Sequence, residues 1–562
     1  MAQLLIVSLS LILCMGALAP SLSFSNERPQ IPCQQLWHSN GLSQQEVNQQ
    51  LKHPADTTAY WQAHENLQRK HCLKEWTVLL YMAADNDLTP YAYWDLYEIE
   101  KRIQGEKNLG ASGEIVDVVA ELDTYLRTGI KRLHLFQYER PYDFNLRLPD
   151  YQKFSQADIQ SPVIASFPED GAGSIKNQKK RFQKFLSWGI KNYPAKKYMI
   201  VIWGHGEGYA GKHIEGQERR EFLPTEKATS RFLTKEMVYS DILDYLRPQN
   251  YPTQRNFGGV ALDHSDSSYL DIPSLHEILQ RTSQKLLQGR PFDVLAFDAC
   301  LMQSVEVAAE LMGPVDYLAG SVQVQNYLGL PYRKIFDYLN SSPQIMPYQL
   351  AATLPKLTKQ AYSQGQGVIS HGYQYLVDPV AAQTFTYSAL TLSEMKNFLL
   401  PSLLDFSRRM QDYLNESFIH AMELNFILQN APSFMGETRD LGVFLGLVKK
   451  LLYQEALQNN GYGEKAQLLL DTANMALDNL NRSLLSYSYG SHYSNTDSTP
   501  EQNYLLGFFK GLSIWLPNEF ANYHKRMDEM KSSVLFKQET QIQNDEIIRW
   551  SNWIDIVLNP PE

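Results

Sequence analysis

The chain has 562 residues, of which 44% are hydrophobic and 20% are charged, and its formal net charge at pH 7 is −10. This composition is typical of a globular protein with a sizeable core, and the length allows roughly two to four domains. Because the charge is mildly negative and no long basic run occurs, the sequence argues against nucleic acid as a partner.

The N-terminus carries the pattern of an export signal. The apolar run from Leu4 to Ala19 has the length of a secretory hydrophobic region and is too short to cross a bilayer. Ser21-Leu22-Ser23 provides a candidate cleavage site, although no Lys or Arg precedes the run. We predict a signal peptide over residues 1–23, a secreted or periplasmic location, and no membrane span in the mature protein.

The cysteines indicate how the next region is organised. Cys14 lies in the signal segment, whereas Cys33 and Cys72 flank a polar, Gln- and His-rich stretch and could pair in an oxidising compartment. We interpret residues 24–73 as an N-terminal extension or pro-segment. Cys300 would then be the odd thiol, either a buried core residue or a functional one.

From Trp76 the sequence alternates between strand and helix patterns. Ala84-Asp85-Asn86-Asp87 is interpreted as a turn and helix-cap cluster that ends the first strand. The spacing predicts an α/β domain over residues 74–335, with a mainly parallel sheet and helices on both faces. The predicted strands are 77–83, 115–122, 131–138 (half-exposed), 198–202, 259–262, 293–297 and 316–321, and the predicted helices are 176–192, 234–246, 272–287 and 304–312.

Residues 336–562 form a predicted C-terminal region that is mostly helical. A Ser/Tyr/Asn/Thr-rich stretch over 486–503 is predicted to be a loop. Short strands are predicted late in the chain, at 512–516 and 533–536. The predicted helices are 347–362, 393–414, 441–458 and 463–485.

Two candidate catalytic residues follow predicted buried strands. His205 comes after the run 198–202, and Cys300 comes after the run 293–297. Sites in open parallel sheets form at the C-terminal ends of the strands. A thiol next to an imidazole becomes a competent nucleophile, so the pair predicts cysteine-based chemistry. The alternatives are a tight turn with an incidental histidine and a buried core cysteine.

Residues beside the pair could support that chemistry. Gly206 could offer its backbone N–H to a bound carbonyl oxygen, because no side chain stands in the way. A helix starting near Leu301 could lower the pKa of the thiol. Asp298 lies two residues before Cys300, on the same strand face, and could attract a cationic substrate side chain. Its alternative roles are helix capping or an ion pair.

Other chemistries lack their motifs. The chain shows no CxxC, HxxxH or HExxH spacing for zinc, no G-x-S-x-G elbow, no P-loop and no dinucleotide fingerprint. We therefore expect neither a metal nor a cofactor.

Taken in order, the motifs resemble the clostripain family of cysteine peptidases, relatives of caspases, gingipains and legumains. The resemblance runs through residues 76–88, Trp203-Gly204-His205-Gly206 and Asp298-Ala299-Cys300-Leu301-Met302, and covers about 76–335. It implies a caspase-like sheet in which Cys300 attacks the scissile carbonyl and His205 serves in proton transfer to the leaving amine. It also implies an oxyanion site at the N–H groups of Gly206 and Cys300, and a preference for Arg or Lys through Asp298.

The sequence departs from the family pattern in the substrate-binding region. The position of the family's second acidic residue falls on Leu328, and Tyr209 replaces the usual Trp. Arg219-Arg220, Lys227 and Lys179-Lys180-Arg181 are candidate autoprocessing sites, or simply solvated basic residues.

The expected function is that of an exported cysteine endopeptidase that acts on proteins or peptides, after Arg or Lys. The altered stretch after Ser321 motivates one alternative, an inactive binding protein on the same scaffold. A transpeptidase that uses the same acyl-enzyme is another. The sequence does not indicate the oligomeric state.

Overall fold

The computed structural model of the chain describes residues 31–69, 72–102, 110–125, 129–139, 159–168, 174, 177–209, 259–263, 265–266, 268–325, 329–342, 344–363, 383–431, 433–434, 438–459, 461, 463–493, 507–517, 530 and 550–558. The predicted signal peptide, Leu328, Arg219-Arg220 and Lys227 lie outside these residues, as do the predicted helix 234–246 and strand 533–536.

Strands occur from the N-terminal extension to the C-terminal region. In chain order they are β1 (Ile31–Pro32), β2 (Cys72–Ala84), β3 (Lys101–Arg102), β4 (Val116–Thr124), β5 (Ile130–His134), β6 (Tyr138–Glu139), β7 (Val163–Phe167), β8 (Ala195–Trp203), β9 (Val260–Asp263), β10 (Ser268–Leu270), β11 (Phe292–Asp298), β12 (Val315–Gly320), β13 (Thr386–Thr391), β14 (Ser433–Phe434), β15 (Thr438–Asp440), β16 (Leu484–Tyr489) and β17 (Ser513–Trp515).

Helices surround these strands. They are α1 (Cys33–Ser39), α2 (Gln44–Lys52), α3 (Thr57–His64), α4 (Thr89–Glu100), α5 (Gln178–Asn192), α6 (Ile272–Leu286), α7 (Val305–Glu310), α8 (Tyr332–Ser341), α9 (Pro347–Ser363), α10 (Leu392–Glu394), α11 (Leu400–Leu414), α12 (Phe418–Asn430), α13 (Leu441–Gln458), α14 (Glu464–Ser483) and α15 (Trp550–Leu558). Short π-helical turns follow α3 at Glu65–Arg69 and join α10 to α11 at Met395–Leu399.

The central sheet has the strand order β16-β13-β12-β11-β8-β2-β4-β5-β7, and β1 pairs with the start of β2. Pairing is parallel from β12 through β11, β8 and β2 to β4. The outer strands β13, β16, β5 and β7 pair antiparallel. The prediction of a mainly parallel α/β sheet is confirmed.

Both faces of the sheet are covered, because side chains on its central strands alternate between two hydrophobic clusters. In β2, Leu79 and Tyr81 join the cluster that contains α5 and α6. Val78 and Leu80 join the cluster that contains α4, α8 and α9. The long apolar runs in the sequence therefore reflect burial on two faces.

The predicted half-exposed strand 131–138 is wrong in burial and length. The strand β5 ends at His134, and its residues are all buried. The N-terminal extension is the cause, because Tyr60 of α3 packs over this edge of the sheet. The Tyr60 hydroxyl lies 2.8 Å from His134 Nδ1 and 2.6 Å from the Tyr193 hydroxyl. A disulfide between Cys33 and Cys72 ties the extension to β2.

The C-terminal region adds two strands to the central sheet. The strand β13 pairs with β12, and β16 pairs with β13. The predicted loop over 486–503 is thus wrong at its start, because Leu484–Tyr489 forms an edge strand. The sheet crosses the predicted boundary at 335, while the division into domains stays a prediction. Within the described part of the chain, no helix is both long and apolar enough to span a membrane.

Candidate active site

The histidine and the cysteine follow the ends of neighbouring strands. The parallel strands β8 and β11 pair in a register that sets Trp203 beside Asp298. His205 and Cys300 each lie two residues further on, at the same edge of the sheet. The backbone N–H of Gly204 donates to the Asp298 carbonyl at 3.2 Å, which joins the two loops. The structure therefore brings the predicted pair of segments together.

The histidine loop is also paired on its other side. Gly206 forms an antiparallel bridge with Val260 of β9, and the Ala261 N–H donates to the His205 carbonyl at 3.0 Å. Gly204 has a φ of +145°, and a Cβ placed on it would lie 2.9 Å from the Ala83 carbonyl oxygen, so a side chain would be strained here. The backbone that carries His205 is held between two strands.

Gly206 lies directly against the cysteine loop. A Cβ placed on Gly206 would be 2.5 Å from the Cys300 carbonyl oxygen and 3.0 Å from both the Ala299 Cβ and the Met302 Sδ. Its φ is in the range that other residues adopt, so this glycine is required by close approach rather than by conformation. The two predicted catalytic segments therefore lie in close contact at this glycine.

The cysteine side chain is 7% exposed and takes no part in the disulfide. Its Sγ accepts a hydrogen bond from the backbone N–H of Gln325 at 3.2 Å. The helix expected near Leu301 begins later, since α7 starts at Val305 with Ser304 as its cap. A backbone N–H from the segment after β12, rather than the end of a helix, is the dipole in contact with the thiol.

The C-terminal region holds that segment in place. The Ser321 hydroxyl lies 2.8 Å from the Thr386 hydroxyl of β13. The Gln323 carboxamide donates to the Tyr493 hydroxyl at 3.2 Å. The Gln323 carbonyl in turn accepts the Leu301 N–H at 3.3 Å. Residues far beyond 335 therefore shape the surroundings of Cys300.

Asp87 is a candidate site residue that the sequence analysis did not identify. Its Oδ1 lies 2.6 Å from His205 Nε2, and the carboxylate is completely buried while the imidazole is 18% exposed. The interpretation of residues 84–87 as a helix cap is wrong for Asp87, because α4 begins at Thr89 and the N-cap position is Leu88, which makes no side-chain cap. Asp87 follows the end of β2, which lies beside β8, and this position in the sequence could have identified it.

Asp298 is completely buried. Its Oδ2 accepts the Leu330 N–H at 3.1 Å and the Tyr332 hydroxyl at 2.7 Å. Burial and the charge of Asp298 raise the pKa of Tyr332 well above its ordinary value, so the phenol keeps its proton and donates. A Cβ on Gly329 would lie 2.5 Å from the same Oδ2, so the segment after Leu328 lies tightly over this carboxylate.

A second buried carboxyl belongs to Glu98 of α4. Its Oε1 accepts the Arg333 N–H at 3.2 Å. Burial raises the pKa of Glu98 well above its usual value, and the nearby charge of Asp298 adds to that shift. The start of α8 is therefore held by two acidic side chains from different elements, and the sequence contained no local sign that Glu98 would lie near Asp298.

Among the described residues, Asp85, Asp123 and Asp263 bring carboxylate oxygens within 4.8 Å of one another, an arrangement that could hold a cation. Arg181 already supplies a positive charge, since its guanidinium bonds Asp123 and lies 2.8 Å from Asp263 Oδ2. We therefore interpret these carboxylates and Arg181 as a buried ion-pair cluster that stabilises the fold. The proposed cleavage site at Lys179-Lys180-Arg181 lies in the first turn of α5, with Arg181 buried, which is not the extended, accessible backbone that a peptidase requires.

With this geometry in place, comparisons show where the chain belongs. The model of the clostripain family matches residues 80–222 and 234–553. The chain is a member of the clostripain family. The match includes the segments of Asp87, His205, Asp298 and Cys300, and it extends through the C-terminal region, beyond the span of the resemblance seen in the sequence.

Solved structures of family members are similar to this chain at low identity. A secreted C11 cysteine protease from Bacteroides thetaiotaomicron, bound to an irreversible peptide inhibitor, is 18% identical, with 82% of this chain and 98% of that chain covered and a TM-score of 0.46. An inactive zymogen C11 protease from Parabacteroides distasonis is 15% identical, with 83% and 98% covered and a TM-score of 0.47. A comparison with curated proteins found no match.

Proposed function

We propose that this clostripain-family protein is an exported cysteine endopeptidase that hydrolyses peptide bonds through Cys300 and His205. The observation that carries the proposal is the contact of Gly206 with the Cys300 carbonyl, at the edge where β8 and β11 end side by side. A nucleophile, a base and backbone donors within one loop contact are what acyl transfer requires.

The reaction would proceed in two steps. The Cys300 thiolate adds to the scissile carbonyl, so the Sγ–C bond forms and negative charge develops on the carbonyl oxygen. The N–H groups of Gly206 and Cys300 are the proposed donors to that oxygen. His205 passes a proton to the leaving amine as the C–N bond breaks. Water then hydrolyses the thioester and restores the thiol.

A neighbouring backbone N–H would stabilise Cys300 as the nucleophile before substrate binds. The backbone N–H of Gln325, whose nitrogen lies 3.2 Å from Sγ, stabilises a thiolate more than a thiol, because a hydrogen bond to a charged acceptor is stronger. The same N–H is held by a segment that β13 and the C-terminal region support. This arrangement favours the charged form of Cys300 before substrate arrives.

The proposed preference for Arg or Lys rests on electrostatics. Asp298, two residues from Cys300, and Glu98 behind it are buried carboxyl groups, and charges are screened weakly in such surroundings. Burial raises the pKa of Glu98 well above its usual value, so Glu98 would supply negative charge only when a nearby cation favours its ionised form. A cationic substrate side chain that approaches this region also favours the ionised form of both groups.

Export is proposed from two features. The apolar run from Leu4 to Ala19 precedes the folded part, and the Cys33–Cys72 disulfide suits an oxidising compartment. Mass spectrometry of the protein recovered from culture fluid or periplasm would identify its first residue, expected at Phe24. An N-terminus at Met1 in the cytoplasm would contradict export.

The decisive experiment is cleavage-site profiling of the purified mature protein on a peptide library. We expect cleavage after Arg and Lys that is lost in Cys300→Ala and in His205→Ala. His276→Ala is the matched control, because His276 binds the Glu310 carbonyl on α7 and lies outside the proposed machinery.

The alternatives give different outcomes. No cleavage, together with no labelling of Cys300 by a thiol-reactive Arg-peptide electrophile, would favour an inactive binding protein. Ligated products in the presence of an added amine would favour a transpeptidase. Cleavage without enrichment of basic residues would refute the specificity while leaving the peptidase intact.

A further inference from the structure

The contact between Asp87 and His205 extends the site beyond the residues that the sequence predicts. We propose that Asp87 is a positioning residue that orients His205 and stabilises its charged form during catalysis. The inference rests on the proposed function, because it concerns a proton transfer that only an active enzyme performs. Its starting point is the 2.6 Å contact between Asp87 Oδ1 and His205 Nε2.

Asp87 is held in place by its neighbour Asn86. The Asn86 side-chain amide donates to the Ala83 carbonyl at 2.9 Å and to the Leu262 carbonyl at 2.8 Å. Its Oδ1 accepts the Leu88 N–H at 2.9 Å. All three bonds are buried, so the turn that presents Asp87 has little freedom to move.

The same short strand also holds His205. Leu262 lies in β9, and the neighbouring Ala261 of that strand donates to the His205 carbonyl at 3.0 Å. The turn after β2 and the loop after β8 are therefore both bonded to β9. The Asp87–His205 contact is set by this shared support and not by two flexible surface side chains.

The contact decides which imidazole nitrogen carries the proton. A carboxylate only accepts hydrogen bonds, so Nε2 must donate to Asp87, and in the neutral ring the lone pair then lies on Nδ1. That nitrogen can take the proton of the thiol and later give it to the leaving amine. With the wrong tautomer, Nδ1 would already be protonated and could not accept.

The contact also stabilises charge. Asp87 is completely buried, so solvent screens its carboxylate weakly. When Nδ1 gains a proton, the ring becomes a cation that faces this fixed negative charge. Asp87 thus favours the imidazolium and thiolate pair over the neutral pair, and it does so without touching substrate.

The test compares Asp87→Asn with Asp293→Asn. Asp293 is a buried carboxylate at the opposite end of β11, where it accepts the Tyr198 N–H at 2.8 Å. Its replacement weakens this buried bond and an ion pair with Arg290, both away from the site. We expect Asp87→Asn to lower kcat by about 100-fold or more, since general acid–base catalysis contributes about that much, with KM within about twofold. Asp293→Asn should keep kcat near the wild-type value.

A second measurement separates positioning from folding. The rate at which iodoacetamide alkylates Cys300 is followed against pH. In Asp87→Asn the acidic limb of this profile should move to higher pH, towards that of an ordinary thiol near pH ~8.5. Asp87→Glu should recover part of the wild-type profile, because it restores the carboxylate. If Asp87→Asn does not fold, Asp87→Glu and Asp87→Ser decide the matter by the same profile.

The outcomes for the inference and for the proposed function are distinct. A kcat within about threefold of wild type in Asp87→Asn, or an unchanged alkylation profile, would overturn the role of Asp87 while leaving the peptidase intact. An equal loss of kcat in Asp293→Asn would also overturn it. Wild-type protein without activity, or full activity in Cys300→Ala, would instead overturn the proposed function.

Discussion

Replacing Gly206 with alanine probes the contact between the two catalytic loops. The substitution keeps the backbone N–H and requires no unusual φ, so it adds only a methyl group. That methyl carbon would lie 2.5 Å from the Cys300 carbonyl oxygen, whereas ordinary van der Waals contact begins at 3.4 Å. The loops must therefore separate by about 0.9 Å, a displacement of the size that can cost 10²-fold in rate.

The stability cost should be of the same order as the catalytic cost, because a 100-fold loss of rate corresponds to about 2.7 kcal/mol. Overpacking of a tight site costs about 1–3 kcal/mol, and the obstructing atom is backbone, which cannot rotate away as a side chain can. Urea unfolding gives the first quantity, and kcat/KM on an Arg-containing peptide gives the second. We expect kcat/KM to fall by about 100-fold while the protein still unfolds cooperatively.

Gly463→Ala is the matched control. Gly463 precedes α14 at a φ of −60°, and a Cβ there would meet nothing within 4 Å. It should leave activity unchanged and lower the free energy of unfolding by no more than about 1 kcal/mol, because glycine is favoured over alanine at a helix N-cap. A Gly206→Ala variant with wild-type kcat/KM would show that separation of the loops does not matter, and the close-approach reasoning would be wrong.

The remaining predictions concern the disulfide of the N-terminal extension and two titrating residues in β4 and β5. The double variant Cys33→Ser/Cys72→Ser opens a link between residues 39 apart and should lower the free energy of unfolding by about 2–4 kcal/mol, measured in urea; an unchanged midpoint would contradict it. Burial lowers the pKa of His134 from its ordinary value of 6.5. Below about pH 6.5 the unfolded chain therefore binds a proton that the folded chain does not bind. The free energy of unfolding should decrease as the pH falls, by at most about 1.4 kcal/mol per pH unit. His134→Asn should reduce this pH dependence, measured by thermal unfolding between roughly pH 7.5 and 5.5. An unchanged pH dependence would show that groups other than His134 cause it. The neighbouring Asp117 acts in a separate window: burial opposes its charge, but Lys74 and His134 outweigh burial and lower its pKa to about 2, so its contribution is lost only as pH falls from about 4 towards 2.

Patterns within single segments accounted for much of the fold. The apolar runs 198–202 and 293–297 predicted two buried strands, and both lie in central strands of the sheet. Helices such as α13, predicted at 441–458, appear at Leu441–Gln458. These features depend on periodicity and turn chemistry over a few residues, which a sequence displays directly.

Segments whose structure depends on contacts with distant parts of the chain were harder to predict from the sequence. The strand β16 was predicted to be a loop because its Ser and Tyr residues have no strong apolar face. It forms a strand because β13 presents an edge with unpaired backbone groups. The burial of β5 likewise depends on α3, which lies far away in the chain.

The difference between what the sequence determines and what the tertiary structure determines is clearest at the candidate site. The sequence by itself determined that His205 and Cys300 each follow a strand and that glycine stands beside the histidine. Only the tertiary structure decided that β8 lies between β2 and β11, and so which side chains flank the imidazole. Asp87 reaches His205 across 118 residues, and Glu98 lies near Asp298, because strand order and helix packing bring them there. Local pattern specifies where a strand ends, whereas the neighbours of that end depend on contacts between segments remote in the chain.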